Sequence, residues 1–239
     1  INKDYGYTNF GECIRENKIA KIHMIEGYFE FFRLSFEDKA NSENTLYSGV
    51  IRFIKNQEFF VKIFDKEMKL HPITTSRVVF AAMTDTDVTL YELTQTYDDI
   101  AKKYNIRPFD LDTVKPFEGT NIDIVSGYWD RGYSCAIDGF VYNLKEGDWM
   151  FKDSVRYTTG CDTIGGTSGS PIISRGSRNV IAINNTSNED GARCTVNNPC
   201  EISQDGTVSV LKGQKYGQQT YNLYSCLRPD YSIDLSVQG

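Results

Sequence analysis

Residues Gly165-Gly166-Thr167-Ser168-Gly169-Ser170-Pro171, running on into Ile172-Ile173-Ser174, read as a tight glycine-rich turn that enters a β-strand. Glycine reaches backbone angles that other residues avoid, so a serine set between glycines can sit on a sharp bend with its hydroxyl presented outward. The amides of Gly166 and Ser168 can then converge on a single oxygen, as an oxyanion hole requires. A β pattern follows the serine, which separates this turn from the strand-turn-helix elbow of Gly-x-Ser-x-Gly hydrolases. Read alone, the stretch also fits a small-residue β-turn without chemistry.

Outward from the turn, short β-rich runs dominate, at 28–36, 50–55, 58–65, 77–83, 87–93, 121–129, 136–144, 171–174 and 179–184. Several alternate apolar and polar residues between Gly, Asn, Asp or Ser clusters, the pattern of an all-β sandwich or barrel. One stretch, 94–105, departs from it. Leu93, Tyr97, Ile100, Ala101 and Tyr104 recur at helical spacing there, and Thr94 or Thr96 is placed to cap a single short helix. The segment 106–119 carries Pro108 and Pro116 and reads as a surface connector, so the chain divides into 1–112 and 113–239. The aromatic run Tyr28-Phe29-Glu30-Phe31-Phe32 reads as a core strand.

At 239 residues the chain is long enough to bury a sizeable core without a metal or cofactor. The formal charge of −6, with no basic run, argues against a nucleic-acid partner. No apolar stretch approaches the roughly 18 to 20 residues that cross a bilayer, and residues 1–5 lack a signal-peptide core. We therefore expect a protein that works off the membrane, and separately expect a monomer with no cofactor. The six cysteines contain no Cys-x-x-Cys pair, and two histidines are too few to complete a zinc site beside them, so disulfides fit better than metal. We expect Cys194 with Cys200, Cys135 with Cys161, and by elimination Cys13 with Cys226. Sequence alone leaves the connectivity open. Disulfides would place the protein in an oxidising compartment, secreted or periplasmic.

Residues Gly166 to Pro171 resemble the Gly-Asp-Ser-Gly-Gly-Pro motif of trypsin-like serine peptidases. The likeness is to the Gly-x-Ser-Gly-Ser-Pro form of bacterial secreted glutamyl-endopeptidase-like members. Asp87-Val88-Thr89-Leu90-Tyr91 likewise resembles the family's Asp-Ile-Ala-Leu-Leu strand start, and 194–200 and 216–221 resemble the C-terminal half of bacterial members. The resemblance implies two antiparallel six-stranded β-barrels of the chymotrypsin type joined by a short helix, and a secreted serine endopeptidase acting on protein or peptide. It makes Ser168 the nucleophile, Asp87 the carboxylate that orients the base, and the Gly166 and Ser168 amides the oxyanion hole. Asn184 falls on the strand that pairs with substrate. Asp162 falls near the pocket-floor aspartate of trypsin, where it would recognise Lys or Arg. Thr167 replaces the aspartate that pairs with a newly cut N-terminus, so Ile1 is not expected to be an activation terminus.

The base is the gap in this resemblance, because the family's Thr-Ala-Ala-His-Cys context is absent. His71 precedes Pro72 too close to Asp87 to leave room for the intervening strands, and reads as structural. His23, inside Ile19-Ala20-Lys21-Ile22-His23-Met24-Ile25, lies at a workable distance in the chain and is the candidate base. Thr8-Asn9-Phe10-Gly11-Glu12-Cys13 resembles the family's Thr-Asn-Gly-His-Cys with Glu12 in the histidine's place, and a carboxylate is a far weaker base toward a serine hydroxyl. Two readings stay open, an active endopeptidase with His23 as base and a pseudopeptidase that binds without cutting.

Overall fold

The structure is a computed structural model that describes residues 60–64, 70–126, 129–228 and 233–234. Strands β1 (Phe60–Phe64), β2 (Leu70–Thr84) and β3 (Thr86–Leu93) form an antiparallel three-stranded sheet in the order β1-β2-β3. Thr84 and Thr86 face each other across the β2/β3 corner, leaving Asp85 alone at the bend with φ 62°. Asp is among the few residues that tolerate this left-handed conformation.

That corner is also where the small sheet meets the rest of the molecule. The Asp85 amide donates to the Met150 carbonyl at 2.7 Å, and the Asp85 carbonyl accepts from the Lys152 amide at 2.7 Å. On either side of the corner, Met83 packs with Leu144, Phe151 and Tyr216, while Val88 packs with Leu223 and Ile183.

The helix expected at 94–105 is present as α1 (Tyr97–Tyr104). Thr96 caps it: its Oγ accepts from the Asp99 amide at 3.1 Å, and the Asp99 carboxylate accepts from the Thr96 amide at 3.2 Å, a reciprocal capping pair. Asn105, at φ 55°, ends the helix, and Ile100 is its buried residue. Such a helix rests on its caps and on the buried Ile100, and it leads directly into the connector.

The second sheet has nine strands: β4 (Asp110–Leu111), β5 (Asn121–Ser126), β6 (Arg131–Glu146), β7 (Trp149–Tyr157), β8 (Pro171–Ser174), β9 (Asn179–Ser187), β10 (Cys200–Ile202), β11 (Val208–Ser209) and β12 (Lys215–Gln219). The order is β11-β10-β6-β5-β8-β9-β12-β7, with β7 also paired to β6 and β4 parallel to β9. Its core follows from alternation. In β5, Ile122, Ile124 and Ser126 point inward, where Ile137, Val155 and Ile172 meet the two isoleucines. A short helix, α2 (Leu223–Cys226), follows β12.

Disulfides Cys135–Cys161 and Cys194–Cys200 are formed as expected. Cys226 is also disulfide-bonded, and its expected partner Cys13 lies outside the described residues. The expectation of two six-stranded barrels differs from the described residues, which form a sheet of three and a sheet of nine. Strands β4, β7, β10, β11 and β12 are absent from the sequence reading, and β12 escapes it because polar residues fill it. Gln218 and Gln219 are buried, and their side chains donate to Ser154 Oγ at 3.1 Å and to the Asp153 carbonyl at 2.6 Å. A strand that enters the core on glutamine side chains carries no apolar alternation.

Candidate active site

The decisive stretch is two overlapping turns. The Thr167 amide donates to the Ile164 carbonyl at 3.1 Å, and the Ser170 amide donates to the Thr167 carbonyl at 3.1 Å. Gly166 (φ 89°) and Gly169 (φ 86°) each occupy the third position of a turn, the type II signature that glycine satisfies without strain. The second turn is anchored to β9, with the Gly169 amide on the Asn184 carbonyl at 2.8 Å and the Asn184 amide on the Ser170 carbonyl at 2.9 Å.

A pattern emerges in the amides. Those of Thr167, Gly169 and Ser170 are spent inside the fold, whereas those of Gly166 and Ser168 donate to no acceptor among the described residues. These are the two N–H groups that an oxyanion hole needs.

The Ser168 hydroxyl, half-buried, donates to the Asn185 carbonyl at 2.8 Å. That carbonyl is available because the β9/β12 ladder slips there. Tyr216 pairs with Thr186 and the next residue, Gly217, pairs with Asn184, which leaves Asn185 as the extra residue of a bulge.

Beneath the turn lies a buried neutral network. Asn184 Nδ2 donates to the Thr167 carbonyl and to Thr167 Oγ1, both at 3.0 Å, and Asn184 Oδ1 accepts from the Tyr157 hydroxyl at 3.2 Å. Thr167 Oγ1 donates in turn to the Ile164 carbonyl at 2.7 Å. Asn184 and Thr167 are buried, and burial drives the Tyr157 hydroxyl well above the usual tyrosine range, so it stays a neutral donor. Gly217 makes the crossing possible: a Cβ there would overlap the Tyr157 hydroxyl and come within 2.7 Å of Ile172 and of the Ile183 carbonyl.

The other expected site residues are spread around this turn. Asp87 is buried at the start of β3, beside Val88, whose apolar cluster includes Ile183 of β9. Asp162 is exposed, one residue after Cys161 on the segment leading into the turn. His23 and Glu12 lie outside the described residues. His71 sits in β2 with its ring 4.3 Å from that of Tyr104, at the opposite end of the strand from Met83, the register partner of Asp87. At about 3.3 Å per residue, that is on the order of 40 Å along an unbent strand. Tyr157 escaped the sequence reading, and so did the part of the Asn185 carbonyl as acceptor for Ser168, although Asn185 falls on the strand expected to pair with substrate. Nothing local marks either, since one acts through a strand crossing and the other through a slipped register.

The trypsin-like peptidase domain family matches residues 39–183, more than half of the chain, and the chain belongs to that family. Its mostly β architecture with short helices is accordingly of the chymotrypsin-like class, and a peptidase fold implies protein or peptide substrates. Among solved structures, the chain is similar to the MamO protease domain of Magnetospirillum magneticum, with 11% identity, TM-score 0.47, 72% of this chain and 76% of that one covered. It is similar to the inactive form of the Rv3671c protease of M. tuberculosis, with 10% identity, TM-score 0.41 and 64% of each chain covered, just under two thirds of that protease. The chymotrypsin of Cellulomonas bogoriensis gives 10% identity, TM-score 0.39, and 62% and 68% coverage. Likenesses this distant carry no residue roles across. Comparison with curated proteins gives no match.

Proposed function

We propose that the protein is a serine endopeptidase of an oxidising compartment, secreted or periplasmic, with Ser168 as its nucleophile. The observation that supports this most is the turn itself: a serine hydroxyl between two undonated amides, Gly166 and Ser168, on a bend held by glycines and buried hydrogen bonds. In the proposed reaction Ser168 Oγ attacks the scissile carbonyl carbon and His23 takes its proton. The two amides stabilise the oxyanion, and the proton passes to the departing amine. Water then releases the acyl group by the same route. Asp87 is assigned to orient the imidazole, Asp162 to contact the residue before the scissile bond, and the β9 backbone around Asn184 to align the substrate chain.

The two-barrel plan, divided at 112/113, extends this reading to the whole chain, with the pairing of β7 back onto β6 in support. Membership of the glutamyl-endopeptidase-like branch rests on the Gly-x-Ser-Gly-Ser-Pro form of the motif. Labelling of folded protein with a fluorophosphonate tests the core of the proposal. We expect one adduct, on Ser168, and its loss in Ser168→Ala; absence of labelling in the native chain leaves the binding-only pseudopeptidase. His23→Ala that labels as fast as the native chain removes His23 as base. Cleavage of a peptide library without preference for Lys or Arg removes the assignment of Asp162.

A further inference from the structure

The Gly165–Gly166 peptide has a handle of its own, apart from the hydrogen bonds of the buried network. Trp129, in the loop between β5 and β6, donates its indole Nε1–H to the Gly165 carbonyl at 2.9 Å. The carbonyl and N–H of a trans peptide point in opposite directions, so fixing one fixes the other. Type I and type II turns differ mainly by a flip of this central peptide. The first turn has the type II form, with Gly166 at φ 89°. In the type I form the Gly165 carbonyl would turn away from the indole, and the Gly166 N–H would reverse with it. Glycine at both 165 and 166 makes that flip easy, since no Cβ opposes it at either position. Gly166 admits the type II form without enforcing it, and the indole bond is placed to hold the turn there.

Trp129 is 45% exposed and Ile164, the first residue of the turn, is 47% exposed. An indole this open is not held by core packing. Its backbone is set by the Trp129 amide on Ser126 Oγ at 3.3 Å and by Asp130 in the left-handed region at φ 50°.

We propose that Trp129 is a positioning residue for the oxyanion hole: its indole N–H holds the Gly165–Gly166 peptide in the form that presents the Gly166 amide to the reacting carbonyl. This rests on the serine peptidase reading of the turn. The role belongs to the donor hydrogen and not to the ring, which sets the test. Trp129→Phe keeps an aromatic ring and removes the donor; 3-benzothienylalanine at 129, with sulfur in place of N–H, removes the donor alone. Loss of one oxyanion donor costs about 100- to 1000-fold in kcat, and a peptide that flips part of the time loses a fraction of that. We expect both variants to label with fluorophosphonate and turn over peptide about 10- to 100-fold more slowly, with KM changed less than about threefold. A peptide boronate that mimics the tetrahedral intermediate should weaken in parallel with kcat.

A readout independent of catalysis accompanies these. In amide NMR spectra of native and variant full-length chains, the Gly166 resonance should move and broaden in both variants, while those of Gly169 and Ser170 stay. Native rates in the benzothienyl variant overturn the inference. So does a loss that appears in KM with kcat intact, because Trp129 is then a substrate contact. If the native chain itself does not label, the peptidase reading falls, and the NMR arm still decides the inference: an unmoved Gly166 resonance in both variants overturns it.

Discussion

The serine turn and the Asp85 corner are both bends that carry buried polar groups, and they are held by different physics. The serine turn at 164–170 is tied down by a neutral network from Tyr157 through Asn184 to Thr167. The hairpin corner at Asp85 is tied down by charge as well as by backbone: Lys152 Nζ lies 2.9 Å from Asp85 Oδ1, with the carboxylate buried and the ammonium side chain half exposed. The neutral network has no solvent to fall back on, so each lost partner strands a buried group at full desolvation cost. The corner keeps two main-chain hydrogen bonds to β7 even when both charges of the ion pair are removed together, and such a paired removal strands no charge. The serine turn should therefore be the brittle one and the corner the tolerant one.

The sharpest way to break this contrast is Gly217→Ala, which drives a methyl group into the Tyr157 hydroxyl and the β9 backbone. We expect a loss of about 3 kcal/mol in urea unfolding, at the upper end for an overpacked core. Next, Asn184→Ala leaves the Tyr157 and Thr167 groups without their partner. It should cost about 2 kcal/mol and slow Ser168 labelling at least tenfold, read in the same protein sample. The double variant Asp85→Asn/Lys152→Met, which removes both charges together and keeps a residue that tolerates the left-handed bend, should cost under about 1 kcal/mol; an effect as large as that of Asn184→Ala would erase the distinction between the bends.

The smallest expected effect is of pH. Because burial raises the Tyr157 pKa in the folded chain, its contribution is fully present below the ordinary tyrosine value of about 10 and is lost as pH rises beyond it. Hydrogen-exchange protection of the Gly169 amide, corrected for intrinsic exchange, should be flat from pH 5 to 9 and fall only above that. A step near pH 4 or 7 would mean that a titrating group holds the turn.

The same contrast governs what the sequence makes legible. The serine turn is local: two glycines at turn positions, a serine between them and a proline opening β8 carry nearly all of its geometry within seven residues. The capped helix α1 is legible for the same reason, since Thr96 and Asp99 cap it three residues apart. What supports the turn is not local. Tyr157 reaches Asn184 only because β7, β9 and β12 lie side by side, and β12 enters the core through glutamines whose partners sit on β7. No periodicity announces such pairs. The orienting carboxylate sits between these cases: Asp87 is marked by its strand start, but its burial depends on the corner docking against the larger sheet.

The bulge at Asn185 turns a question of geometry into one of counting. It exists because β9 has one residue more than the facing stretch of β12 can pair. A chain that lost this residue would keep every letter of the glycine-serine motif and gain a regular ladder, while the Ser168 hydroxyl would lose the acceptor it now has. Among related sequences, the number of residues in β9 opposite β12 is thus a separate record from the motif itself. Deletions at that point should accompany loss of activity even where the motif reads intact.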